Sequence, residues 1–106
     1  MSAKNLNAEH LNIAYDELMM WGPRLGMPLQ PRILERIPAI SAETATDLER
    51  ECYAAQLLAN DLFERVYGNE LPEVEARVLL MKTFAWINEA NYSRAHNQGM
   101  YFAWHG

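Results

Sequence analysis

The chain has 106 residues and a mass of 12.2 kDa, room for one hydrophobic core, so residues 1–106 are expected to form a single domain. Nine Lys and Arg against fourteen Asp and Glu give a net charge of −5, which admits nucleic acid only through a local basic patch, and a 50% apolar composition excludes wholesale disorder. One cysteine excludes an internal disulfide and an all-cysteine zinc site.

No apolar run approaches the ~18 residues of a membrane span, and residues 1–10 lack the hydrophobic segment of a signal peptide. A soluble, cytoplasmic protein is therefore expected. No tandem repeat, low-complexity tract or domain boundary is visible along the chain.

The first helix is predicted over residues 8–21. Leu11, Ala14, Leu18 and Trp21 recur at three- and four-residue steps, Asn7 stands as N-cap, and Glu9 falls where the helix dipole favours an acid. Gly22-Pro23 ends it, because proline disfavours helical geometry in the residue before it. Residues 22–30 carry loop chemistry. Pro31 then opens a short helix through Ile37, with Ile33, Leu34 and Ile37 facing inward and Pro38 as the stop. A second long helix begins between Ser41 and Asp47, where two capping boxes compete. Thr46 with Glu49 fits the reciprocal pattern better than Ser41 with Thr44. Its stripe of Leu48, Cys52, Ala55, Ala59, Leu62 and Val66, widened by Leu58, is expected in the core. Gly68 is expected to end it in the left-handed conformation.

The third long helix is predicted from Pro72 to Asn97 or Gln98, with Glu73 and Glu75 in its first turn, His96 in its last and Gly99 as its C-cap. That is about 26 residues, or roughly 39 Å. On a helical wheel Val74, Val78, Met81, Ala85, Asn88 and Tyr92, with the adjoining Leu80, Phe84 and Ile87, form a broad core face. The opposite stripe of Glu75, Leu79, Lys82, Trp86, Glu89, Ser93 and His96 is polar at its ends and apolar in its middle. A helix that is apolar nearly all round is covered on more than one side. Leu79, Lys82 and Trp86 are accordingly read as an interface, with cover by the short helix at 31–37 or the aromatic tail of the same chain as the alternative. Met19, Met20 and Trp21 pose the same choice, with core filling the favoured reading and an interface the other. The aromatic tail, residues 99–106, is expected to dock on Tyr92 and the second helix. In the alternative, Phe102 and Trp104 anchor a partner.

No catalytic residue is assigned. Glu89 and His96 lie two helical turns apart, about 10 Å, too far for a carboxylate–imidazole hydrogen bond. Ser93 lies between them, but no nucleophile elbow or oxyanion site accompanies it. Glu89, Tyr92, Arg94 and His96 are candidates for the polar lining of an interhelical pocket, which would belong to a small enzyme or ligand-binding protein. The Glu-x-x-His pairs of di-iron bundles are absent, and Cys52, His96 and His105 lie on distant segments, so neither metal nor cofactor is expected. Arg24, Arg32 and Arg36 are the one loose concentration of positive charge. A helix-turn-helix reading would place Asp47, Glu49 and Glu51 against phosphates. A helical nucleic-acid-associated regulator is thus a third reading, and neither nucleic acid nor membrane is an expected partner. The same arginines suit an acidic peptide or a carboxylate.

The expected fold is all-α, a small antiparallel bundle of three long helices and one short one. The expected function is that of a protein–protein interaction module or accessory subunit that self-associates, as a homodimer.

Overall fold

Asn7 starts the first helix as its chemistry predicts: its side-chain oxygen accepts the His10 N–H at 3.0 Å, and α1 (Ala8–Leu18) follows. The structure, a computed structural model, describes residues 6–20 and 27–105. Among these residues the chain is all-α, with no strand. Four further helices follow α1, namely α2 (Leu29–Arg36), α3 (Ala42–Tyr67), α4 (Glu73–Thr83) and α5 (Glu89–His105). α1 ends at Leu18 with Met19 as its C-cap, short of the predicted end at Trp21; Trp21 and Gly22-Pro23 themselves lie outside the described residues.

Helix α2 starts two residues before the predicted Pro31, after Pro28, and buries Leu29 and Arg32 beside Ile33. Helix α3 begins with the capping box that sequence ranked second. Ser41 Oγ accepts the Thr44 N–H at 3.0 Å, whereas Thr46 lies inside the helix and donates to the Ala42 carbonyl at 3.1 Å. The earlier start is the one that carries Ala45 into the core beside Leu48, and burial outweighs the better box. The expected α3 stripe of Leu48, Cys52, Ala55, Ala59 and Leu62 is buried, joined by Phe63. At the C-terminus, Glu70 N–H bonds to the Arg65 carbonyl and Asn69 N–H to that of Val66, the paired closure of a Schellman motif. The left-handed residue is Asn69, with φ 62°, in place of the predicted Gly68. Asparagine is the side chain that tolerates this conformation best after glycine.

The long third helix is in fact two. α4 ends at Thr83, Phe84 and Ile87 turn into the core, and Asn88 Oδ1 accepts the Asn91 N–H at 2.8 Å to cap α5. The break also rotates the expected core face of α4. Its buried residues are Ala76 and Leu80, while Val74 and Val78 are 68% and 58% exposed. Tyr92 pairs with Glu73 and Arg77 with Glu89, so α4 and α5 form an antiparallel hairpin. Gly99 does not cap a helix. It lies inside α5, where an added Cβ would stand 2.8 Å from Phe63 Cβ. Only glycine lets the two backbones come so close, so the helix runs past it to His105.

Contacts gather the chain into two compact units, Met1–Tyr53 and Ala54–Gly106, whose border falls inside α3. Each unit follows one plan. Ile37 and Phe84, 47 positions apart, end α2 and α4 with nearly the same backbone (φ −132°, ψ 73° and φ −127°, ψ 71°). The caps Ser41 and Asn88 recur at the same spacing. So do the buried pairs Leu29 and Ala76, Ile33 and Leu80, Leu48 and Ala95, and Cys52 and Gly99. The Gln30 amide reaches the Ala42 carbonyl where Arg77 reaches the Glu89 carboxylate. Between residues 29–53 and 76–100 the one identity is Ile40 with Ile87. The plan repeats in burial and capping rather than in residue identity, and for that reason no repeat is visible in the sequence.

Candidate interaction surface

Passing Phe63 at Gly99 has a direct consequence: α5 continues for six more residues, and four of them are aromatic or histidine. Tyr101 and Phe102 are each 43% exposed and Trp104 is 64% exposed, so the segment is not buried on Tyr92 as expected, although Phe102 and Ala103 line a cavity with Asn60 and Glu64 of α3. Its rings also lie against one another. Tyr101 sits 5.9 Å from Phe102 and 4.1 Å from His105, centroid to centroid, and Trp104 sits 4.4 Å from His105. Beside Phe102 a cavity of about 210 Å³ is lined by Asn60, Glu64, Gly99 and Ala103.

The stripe predicted to run from Leu79 to Trp86 is divided by the break. Leu79 and Lys82 are exposed on α4, whereas Trp86 sits half-buried in the turn, edge-on to Phe84 at 6.3 Å. Of the second candidate group, Met19 is buried in unit 1, Met20 is half-buried, and Trp21 lies outside the described residues. Met19 therefore packs the core and is not a surface residue.

The polar candidates come together only in part. The Tyr92 hydroxyl donates to Glu73 Oε2 at 2.8 Å. The Arg77 guanidinium lies 4.6 Å above the Tyr92 ring and pairs with Glu89. Burial, and then the hydrogen bond to Glu73, push the Tyr92 phenol up to about 12. His96 is edge-on to Phe63 at 5.0 Å and stacks with Tyr92 at 6.3 Å, so its ring packs the helix interface rather than finishing α5. Arg94 is exposed, two residues beyond Tyr92. Glu73 and Arg77, which complete this cluster, escape the sequence reading because only the hairpin register brings them to Tyr92 and Glu89.

Arg32 and Arg36, two of the three arginines of the loose basic group, are engaged within unit 1. Arg32 Nε donates to Glu17 Oε2 at 3.0 Å, and Arg36 reaches Asp16 at 2.9 Å and Glu17 at 3.2 Å. Among the described residues no group of three or more His, Cys, Asp and Glu side chains is placed to hold a metal ion. None of the helices is long and apolar enough to cross a membrane. Compared with protein-family models, with curated proteins and with solved structures, the chain matches none.

Proposed function

We propose that this chain is a protein-interaction module that binds a second copy of itself through the aromatic end of α5, acting by binding rather than by catalysis. The observation that carries the reading is the exposure of Tyr101, Phe102 and Trp104 on one short helical segment. Tyrosine and tryptophan are the side chains that most often supply interface energy, and contiguous exposed apolar surface marks contact sites. The choice of partner follows from charge. No Asp, Glu, Lys or Arg occurs from residue 95 to 105, so the segment itself brings no carboxylate to a contact between two copies of a chain of net charge −5; Glu64 lines the cavity beside Phe102. Aromatic rings also pack favourably edge to face on rings of their own kind. The proposal places the module in the cytoplasm, where a free thiol such as Cys52 stays reduced.

Native mass spectrometry tests this directly. The purified chain is expected near twice 12.2 kDa, and Trp104→Ser is expected to return it to monomer with its helical circular dichroism unchanged. A wild-type chain that remains monomeric up to millimolar concentration sinks the proposal.

A further inference from the structure

The connections from α2 to α3 and from α4 to α5 have the same construction and different locks. Ile37 N–H bonds to the Ile33 carbonyl and Phe84 N–H to the Leu80 carbonyl, both at 2.8 Å. Three residues on, Ile40 and Ile87 return a bond to the Ile37 and Phe84 carbonyls, at 3.4 and 3.1 Å. The residue after the pivot is Pro38 in the first connection and Ala85 in the second. A proline at that place forbids continuous helix, because it disfavours helical geometry in the preceding residue and removes an N–H. Residues 84–88 contain neither proline nor glycine, and every one of their side chains is tolerated in a helix. Three-to-four periodicity runs straight through them, which is why the sequence alone reads as one helix from 72 to 97. The turn is held by the burial of Phe84 and Ile87 and by the Asn88 cap.

We infer that the α4–α5 connection is an exchange hinge: opened into continuous helix, it carries α5 out of its own unit and into the matching seat of a second copy of this chain. The occupant is fixed by the seat. The helix that lies against Phe63 must present a glycine there, with a tyrosine hydroxyl opposite Glu73 and a carboxylate opposite Arg77. α5 is the segment that meets all three conditions. In the exchanged dimer these contacts form between copies, and no new side-chain chemistry is required. Short hinge loops of this kind are the usual origin of domain swapping. The inference does not depend on the aromatic surface.

Refolding from denaturant at millimolar concentration, followed by native mass spectrometry, tests the hinge. The wild-type chain is expected to yield a dimer fraction that dissociates only over hours after dilution, whereas a dimer held by surface association alone dissociates at once. Ala85→Pro copies the lock of unit 1 and is expected to lower the dimer fraction at least ~5-fold while keeping helical content, because proline is favoured at the first central position of such a turn. Asn88→Ala removes the cap and is expected to raise the dimer fraction several-fold. Loss of the dimer in Ala85→Pro supports the hinge whatever Trp104→Ser does. A dimer that survives Ala85→Pro but not Trp104→Ser overturns it in favour of surface association, and a wild-type chain that never dimerises overturns both. Should Ala85→Pro fail to fold, Asn88→Ala decides: a dimer fraction that does not rise overturns the hinge.

Discussion

Arg32 and Leu79 occupy the same place in the two units, 47 positions apart, one residue before Ile33 and Leu80. Arg32 is 4% exposed, and its guanidinium bonds to the carboxylate of Glu17, itself 1% exposed. Leu79 is 43% exposed. The first unit thus uses a long charged side chain to tie α2 to α1 and to the Met27 carbonyl, and it closes on itself. At that place the second unit has an aliphatic side chain, and Val74, Val78 and Leu79 face outward on α4. One backbone plan thus carries a buried ion pair at this position in one unit and an exposed apolar side chain in the other. The largest predicted effect follows. Arg32→Ala removes the buried partner of Glu17, leaves the more exposed Arg36 as its remaining cation, and is expected to cost about 3 kcal/mol. Leu79→Ala is expected to cost about 1 kcal/mol, because 43% of the residue stays in water on folding. Urea unfolding of the two variants measures the difference, and equal losses would break the comparison.

Cys52 and Gly99 make a second contrast at one position of the plan. Cys52 is accommodated at full burial, with its thiol donating to the Leu11 carbonyl at 3.5 Å, whereas at Gly99 there is no room for even a methyl group beside Phe63. Gly99→Ala gains about 1 kcal/mol of helix propensity. It also forces α3 and α5 apart, because the obstructing atom is a backbone-anchored Cβ that no rotamer moves. Overpacking of this kind costs about 1–3 kcal/mol, so net destabilisation is expected. Cys52→Ala removes one sulfur and is expected to cost about 1 kcal/mol. A Gly99→Ala variant more stable than wild type would show that α5 is packed more loosely than the geometry requires.

These contrasts explain what was legible in the sequence. Asn7, Pro38 and the Leu48-to-Leu62 stripe act through local geometry and short spacing, so they can be read from the chain directly. The helix break at residues 84–88 is enforced from a distance by the burial of Phe84 and Ile87, with Asn88 as its only local signal. Glycine is ambiguous in the same way. Beside the end of a helical pattern it suggests a cap, yet Gly99 is required by Phe63, 36 residues earlier in the chain. The Glu17–Arg32 pair is separated by 15 residues across a loop and has no periodicity to reveal it. Of the interaction surface, Phe102 and Trp104 were legible as misplaced aromatics, while the exposure of Val74 and Val78 depends wholly on where α4 ends.

The two caps sharpen the comparison at smaller amplitude. Ser41→Ala and Asn88→Ala each remove one side-chain acceptor from a helix N-terminus and are expected to cost about 1 kcal/mol. The kinetic consequences differ, because Pro38 still pins the first connection. Amide hydrogen exchange is expected to accelerate around residues 88–92 in Asn88→Ala and to change much less around 41–45 in Ser41→Ala. Equal acceleration at both sites would remove the distinction between a locked and an unlocked connection.

The smallest effect at neutral pH becomes visible only in alkali, and it separates the cores of the two units. Tyr15 and Cys52 are buried together in unit 1, and burial pushes both the phenol and the thiol well above their ordinary ranges, with the nearby Cys52 adding to the shift of Tyr15 and Glu51 to that of Cys52. The residues 47 positions on, in unit 2, are Leu62 and Gly99, which do not titrate. A group whose folded pKa is raised holds its proton more tightly in the native state. Its contribution is therefore complete below the unfolded pKa and is lost as the pH climbs toward the folded one. For phenols that loss begins near pH 10, and for the thiol near pH 8.5. Unit 2 has a single comparable group, Tyr92, held at about 12 mainly by burial. Stability is accordingly expected to be flat from pH 6 to 8 and to fall steadily above pH 9. Tyr15→Phe, which removes the buried phenol and keeps the ring, is expected to make that fall shallower. Tyr92→Phe is expected to remove only the part between pH 10 and 12. If Tyr15→Phe left the alkaline slope unchanged while Tyr92→Phe flattened it, the alkali-sensitive core would be that of unit 2, and the contrast between the two units would have to be drawn from the Arg32–Glu17 pair and Leu79 alone.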